Sequence, residues 1–332
     1  MIGARILGTG SVLAGRRRST AELVARALPG SDPEEIERRI GIASRYWVDA
    51  ETDAASLGAQ ALARALEAAS LDARALARIV FVSSTGGDHL IPATANAVAE
   101  KLGLDDSCDG FDLNNACTGF LSGLDVAARS VATGLGPVAV VAAETFSRYL
   151  PEDKPRPYLV LGDAAAAVVL GEARAGEGFI GSWLRNSAEL RGRVTMAHPG
   201  RLANDRVHRR TFLDFQASYD ELTASALRAI DRAARAVTDG AGLSLAEIEW
   251  FLPHQPNGRM LEKLLAALEI DPARTISVVE EIGSVGAASI PVSLDRLWRT
   301  RPVRAGDRML LAAVGAGTAY GAMLYRVGGA RA

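Results

Sequence analysis

The chain repeats itself at about half its length. Leu76-Ala77-Arg78-Ile79-Val80-Phe81-Val82 returns as Leu245-Ala246-Glu247-Ile248-Glu249-Trp250-Phe251, an offset of 169 residues. Leu124-Asp125 returns as Leu294-Asp295, and Gly136-Pro137-Val138-Ala139-Val140-Val141-Ala142-Ala143 as Gly306-Asp307-Arg308-Met309-Leu310-Leu311-Ala312-Ala313, both at an offset of 170. Three matches in order at nearly one spacing describe a tandem duplication, and a period this long excludes a solenoid of short repeats. The 332 residues are therefore expected to form two copies of one unit, 1–175 and 176–332.

Each copy reads the same way. An opening strand (Ala4 to Leu7; Gly178 to Leu184) leads to a long Ala/Leu-rich helix (Ala55 to Ser70; Tyr219 to Val237) with small and apolar residues at helical spacing. The repeated apolar run follows as a buried strand, then a second helix (Ala93 to Leu102; Gly258 to Leu268), a further strand, a Gly/Ala-rich turn and a third helix. Val138 to Ala143 and Met309 to Val314 are unbroken apolar runs, the pattern of strands covered on both faces. The expectation is an α/β protein whose fused halves form a duplicated five-layer α/β/α/β/α core.

Composition narrows what such a core can serve. A net charge of −2 gives no reason to expect a nucleic-acid or membrane partner. Two cysteines, Cys108 and Cys117, make neither a disulfide framework nor a four-ligand zinc site. The uncharged stretch between Arg308 and Arg326 is short of a membrane span and holds three glycines, and the first residues lack a secretory pattern, so a cytoplasmic location is expected. Gly8-Thr9-Gly10 begins like a dinucleotide fingerprint, but Leu13 stands where the third glycine belongs.

Chemistry concentrates in two turns. Asn114-Asn115-Ala116-Cys117-Thr118-Gly119 follows a strand and opens a helix, which sets a thiol at the positive end of a helix dipole. That position is expected to lower its pKa and free the thiolate as a nucleophile. His254 leaves the carboxyl end of the second-half copy of the repeated strand, where open α/β sheets place functional groups. His89, His198 and His208 read instead as loop residues, and Cys108 as a core residue. The repeat maps Cys117 onto Ala287, so the two turns are expected to face each other. Gly315-Ala316-Gly317 ends a buried strand with side chains too small to shield its N–H groups, which suits either an oxyanion hole or a tight hairpin.

With these residues in place the chain resembles the thiolase-fold condensing enzymes, and among them the β-ketoacyl-acyl-carrier-protein synthase III group. The resemblance runs from Ile6-Leu7-Gly8-Thr9-Gly10 through Arg39-Ile40-Gly41-Ile42, Cys117-Thr118-Gly119-Phe120, Leu161-Gly162-Asp163-Ala164, Pro253-His254-Gln255-Pro256-Asn257 and Ala288-Ser289-Ile290-Pro291 to Tyr325-Arg326-Val327. It implies that Cys117 carries an acyl group as a thioester and that the amides of Cys117 and Ala316 form the oxyanion hole. It implies that His254 steadies the enolate formed when a carrier-bound malonyl group loses CO₂. Arg39 and Arg148 match positions that meet the phosphates of coenzyme A. Arg259 matches a basic position that meets the carrier protein, and Asn257 belongs to the same histidine motif. Ile91 matches a loop residue that crosses a homodimer interface, and that dimer would form through the strand at Val138 to Ala143. No cofactor is implied beyond the acyl-CoA or acyl-carrier thioester substrate.

The sequence departs from the family pattern twice. Ser284 stands where the family has a third catalytic residue, an asparagine, and its shorter side chain puts decarboxylation in doubt. Glu35 stands where a tryptophan often stacks on adenine, with only Ile36 beside it. Three functions are therefore weighed: a condensing enzyme of fatty-acid or polyketide biosynthesis, an acyltransferase that passes the acyl group to oxygen or nitrogen, and a non-catalytic subunit of a condensing-enzyme heterodimer. Retention of both Cys117 and His254 argues against the last. The Arg-rich segment from Ser187 to Phe215 matches the family poorly and is expected to shape substrate entry.

Overall fold

Alternate residues of each central strand feed different hydrophobic cores, and this alternation builds the layers. The computed structural model describes residues 2–196 and 212–329, together with the backbone of 202–203 and 206–207. His198 and His208 lie outside the described residues. The main strands are β1 (Ala4–Val12), β2 (Arg78–Val82), β3 (Asp109–Leu113), β4 (Val138–Glu144), β5 (Ala164–Glu172), β6 (Gly178–Asn186), β7 (Trp250–Pro253), β8 (Arg308–Gly315) and β9 (Ala319–Arg326). The helices that matter here are α1 (Pro33–Ile40), α2 (Ala54–Ala69), α3 (Thr94–Lys101), α4 (Gly119–Ala132), α5 (Tyr219–Asp239), α6 (Gly258–Ala267) and α7 (Ser289–Thr300).

Ile79, Phe81, Val141 and Val169 pack outward beneath Leu57 and Leu62 of α2. Their neighbours Val80, Val82, Val140 and Val168 pack inward with Phe120 and Leu124 of α4 and with Ile290 and Leu294 of α7. The second sheet repeats this: Leu311, Ala313 and Met323 join the inner core, while Leu310, Ala312 and Leu324 meet Ile230 and Val237 of α5. Helix, sheet, paired helices, sheet and helix are the five layers expected from the duplication.

The first sheet runs β1-β5-β4-β2-β3 and the second β6-β9-β8-β7. Parallel pairing of β2 with β4 is matched by β7 with β8, and the antiparallel pairs that follow match as well. The ladders revise one detail of the repeat. Val82 lies opposite Ala142 and Pro253 opposite Ala312, so the offset at this strand is 171 rather than 169. A two-residue difference preserves which face each side chain occupies, which is why the sequence match survives it.

The expected second-half counterpart of β3 is absent. Residues 275–278 run beside β7, but side chains replace the ladder. Thr275 Oγ1 donates to the Phe251 carbonyl, Gln255 Nε2 donates to the Ile276 carbonyl, and Gln255 Oε1 accepts from the amides of Val278 and Val279. A second correction concerns the edge of the first sheet. Strand β4, expected to extend the sheet across a dimer, is bonded on both sides by β2 and β5. The edges of this sheet are β1 and β3.

Gly8 and Gly10 have a packing role. A Cβ on either would sit 2.3 or 2.5 Å from the carbonyl oxygens of Ala65 and Ala61, so their absence lets β1 lie directly against α2. Among the described residues no helix is long and apolar enough to cross a membrane.

Candidate active site

Cys117 sits between β3 and α4 on a turn with a left-handed residue, Ala116 (φ 47°), just before it. The side chain of Asn114 supports this turn by accepting the Ala116 amide at 3.0 Å. Such a conformation is costly for a residue with a Cβ and persists where surrounding contacts enforce it. The helix begins two residues later, at Gly119, with no side-chain cap.

The thiol itself departs from expectation. Burial, reinforced by the nearby Glu144 carboxylate, pushes the Cys117 thiol up to about 12, against opposing hydrogen bonds from Ser84 and its own amide. The helix end was expected to lower it; desolvation outweighs that effect although the residue is half-buried and faces a cavity.

His254 continues β7, its amide donating to Ala312 O at 2.8 Å. Pro253 precedes it without breaking the sheet because β7 is an edge strand. Burial pushes the imidazole down to about 4, so it is neutral at physiological pH, and its Nδ1 has no partner among the described residues. Asn257 caps α6, its Oδ1 accepting from the Met260 amide at 2.8 Å.

Gly283 (φ 72°) turns the chain into Ser284. A Cβ there would meet Arg45 Cβ and Val160 O at 2.9 Å, so glycine is required by both conformation and space. Ser284 is then pinned by its own backbone, its amide donating to Val160 O and its carbonyl accepting from the Gly162 amide. On the opposite side, a Cβ on Gly315 would stand 3.0 Å from the Cys117 nitrogen, so a bare backbone approaches the Cys117 amide immediately before Ala316.

These groups line one cavity of about 800 Å³. Cys117, His254, Asn257, Ser284 and Ala316 all face it, together with Ser84 and Phe146. Its wall is largely apolar: Ile36, Ile40, Leu159, Leu161, Leu222 and Met260 contribute, as do Leu190, Val194, Met196, Leu213 and Phe215 from the Arg-rich segment. Arg39, near the end of α1, also lines the cavity.

Three of the expected residues lie outside this lining, although only Arg148 was expected to share coenzyme A phosphates with Arg39; Arg259 was expected to meet a carrier protein and Ile91 to cross a homodimer interface. Arg148 donates to the carbonyls of Ala50 and Thr52, which commits its guanidinium to a surface loop. Arg259 is half-exposed and bonded to Arg38 O and to both oxygens of Glu262. Ile91 is 87% exposed, outside its own chain's cavity. The basic residue that accompanies Arg39 is instead Arg156, which donates to Ala217 O and stacks over Phe215 at 5.2 Å. Its place after Lys154-Pro155 in the sequence carried no signal of this role. Ser84 and Glu144 were likewise missed, because nothing local marks a serine after a buried strand or an acid at the end of one.

Comparison with known proteins agrees with the geometry. The 3-oxoacyl-[acyl-carrier-protein (ACP)] synthase III model matches residues 111–188, and the C-terminal model of the same synthase matches residues 238–327. Beta-ketoacyl-[acyl-carrier-protein] synthase III of Desulfitobacterium hafniense (strain Y51) is 32% identical over 329 residues, 98% of each chain. The chain belongs to the β-ketoacyl-acyl-carrier-protein synthase III family. Among solved structures, the synthase III of Thermus thermophilus superposes with a TM-score of 0.90 at 27% identity, covering 98% of this chain and 99% of its own. The priming β-ketosynthase from the R1128 polyketide biosynthetic pathway superposes at 0.88 with 29% identity, covering 98% and 96%. The fold is thus that of the synthase III enzymes, and the chain is a condensing-enzyme family member.

Proposed function

We propose that the protein is acylated on Cys117 and passes the acyl group by decarboxylative Claisen condensation to a malonyl group on a carrier protein, in fatty-acid or polyketide biosynthesis. The observation that carries this reading is the apolar cavity that joins the thiol, the neutral imidazole and Ser284. In the first half-reaction the Cys117 sulfur bonds to the thioester carbonyl carbon, the carbon–sulfur bond of the donor breaks, and the leaving thiol takes a proton. The amides of Cys117 and Ala316 hold the oxyanion. In the second, CO₂ leaves the malonyl group, and its electron pair forms an enolate whose oxygen receives hydrogen bonds from His254 and Ser284. The enolate carbon attacks the acyl carbon, and the thiol is restored.

A neutral histidine suits donation to that oxygen. The apolar wall suits an acyl chain, and Arg39 with Arg156 suits the phosphates of acyl-CoA or a carrier prosthetic group. In this reading the thioester substrate brings all the chemistry and no resident cofactor takes part. The chain acts as a homodimer joined through the free edge of β3, with the exposed Leu90 and Ile91 covered in the interface.

Ser284 favours a second reading. If its hydroxyl does not reach the enolate oxygen, one donor is lost, a loss of about 10²–10³ in rate. The acyl-cysteine would then be given to an oxygen or nitrogen nucleophile, with His254 as general base.

Intact-protein mass after mixing with acyl-CoA and acyl-carrier donors, followed by a malonyl-carrier chase, tests both. An adduct absent in Cys117→Ala and discharged as a β-ketoacyl product supports condensation. An adduct discharged only by an alcohol or amine supports the second reading. No adduct from any donor would overturn both in favour of a non-catalytic subunit.

A further inference from the structure

Arg45, in the short strand Ser44–Trp47, is fully buried, and the reaction above gives it no task. The acceptors its guanidinium reaches are neutral. Nη1 donates to Thr20 Oγ1 at 3.0 Å and to the Arg18 carbonyl at 3.4 Å, and Nη2 donates to the Leu159 carbonyl. Nε has no partner among the described residues. Burial brings its pKa down to about 10, against the opposing pull of Glu37 on α1, so it is still a cation at neutral pH. A cation kept inside a protein on carbonyls and a hydroxyl is costly and calls for a reason.

The segments it joins supply one. Ser284 is held by its backbone, whose amide donates to Val160 O at 2.9 Å and whose carbonyl accepts from the Gly162 amide at 3.0 Å. The stretch 159–162 therefore decides where Ser284 stands, and the strand Ser44–Trp47 grips that stretch. Tyr46 O accepts from the Asp163 amide at 2.8 Å, Trp47 Nε1 donates to Leu161 O at 3.1 Å, and Arg45 takes Leu159 O. The strand also holds the approach to Ser284, since Ser44 Oγ donates to Glu281 O at 2.7 Å. Arg45 stands between the two: a Cβ on either Gly162 or Gly283 would lie 2.9 Å from its own Cβ. Placement is critical for a serine. With one carbon between backbone and hydroxyl, Ser284 has no length with which to make up a backbone shift.

We propose that Arg45 is the positioning residue for Ser284: its forked guanidinium ties the stretch 159–162 to Thr20 and Arg18 and so fixes where the Ser284 hydroxyl stands in the cavity. The fork matters as well as the charge, because the two nitrogens serve different segments and a lysine ammonium does not span both. Arg45 itself is not part of the cavity lining and touches no reacting atom. The catalytic consequence rests on the reading that Ser284 donates to the enolate oxygen.

The test uses Arg45→Lys and Arg45→Met in the full chain, with two readouts. The first is amide hydrogen exchange followed by peptide mass. Both variants should speed exchange tenfold or more over 160–162 and 283–285 and leave β2 at the parent rate. The second separates the half-reactions. Acyl adduct on Cys117 should form within about threefold of the parent rate, while its discharge by malonyl-carrier slows tenfold or more. Thr20→Val removes one acceptor and keeps the arginine, so it should give a smaller change of the same kind; it decides the matter where an Arg45 variant does not fold. Unchanged exchange at 283–285, or a rise shared equally by β2, overturns the proposal. So does an Arg45→Lys variant that matches the parent in both readouts, or an equal fall in both half-reactions. A parent protein that takes the acyl group but is not discharged by malonyl-carrier overturns the functional reading instead, and the exchange readout then decides the place of Arg45 by itself.

Discussion

At Cys117 burial and the Glu144 carboxylate outweigh the nearby helix end and the hydrogen bond from Ser84, and at Glu144 burial outweighs the hydrogen bonds from Ser83 and Ser84. The helix-end argument for a low thiol pKa used only local sequence, and it failed because tertiary packing desolvates the thiol and, to a lesser degree, brings an acid 27 positions away near it. Glu144 also makes stability depend on pH. Its folded pKa is raised from 4.5 to about 7, so its contribution is complete below about pH 4.5 and is lost as pH rises through about 7. Glu144→Gln removes that loss. The stability of this variant relative to the parent should therefore improve between about pH 5 and about pH 8.5, by on the order of 2–3 kcal/mol, in guanidinium melts at each pH. A difference that stays constant with pH would show that the carboxylate's charge is not confined. Of the site, Cys117, His254 and Ala316 were legible in the sequence because each comes just after a strand, and Ser284 was legible only through the family resemblance. Arg156 was not, since which arginine reaches a cavity depends on how distant segments pack.

Strands and helices were legible wherever apolar periodicity was strong. The helix expected at Ala55 to Ser70 spans Ala54–Ala69, and the strand expected at Val138 to Ala143 spans Val138–Glu144. The exception is residues 275–278, whose pattern suggests a strand but whose backbone groups are satisfied by Gln255 and Thr275. A side chain 20 or more positions away cannot be seen in local periodicity. Gln255→Leu should consequently cost more than an ordinary core change. It leaves the Ile276 carbonyl and the Val278 and Val279 amides buried and unpaired, which predicts a loss of roughly 3 kcal/mol or more in denaturant unfolding. A loss below about 1 kcal/mol would mean that the segment relaxes onto water or re-forms a ladder with β7.

At the scale of the whole molecule the duplication explains more than the fold. Arg129–Asp125 on α4 and Arg299–Asp295 on α7 are the same ion pair in the two copies. The copies have diverged where they meet: Asp295 also accepts from Thr9 and Ser11 of β1, and one turn carries Cys117 where the other carries Ala287. The unequal sheets leave β3 as a free edge, with Leu90 (69% exposed) and Ile91 (87% exposed) on the loop leading to α3. Light scattering should therefore report twice the chain mass of 34.9 kDa, and a monomer would refute assembly through this edge. The amino-acid sequence alone determined the two-copy α/β architecture and the candidate nucleophile and imidazole, because apolar periodicity and turn chemistry are short-range properties repeated along the chain. Only the tertiary structure decided the direction of the thiol's pKa shift, the second arginine that faces the cavity and the strands left at the sheet's edges. Each of these depends on groups far apart in sequence meeting in an interior where water no longer screens them.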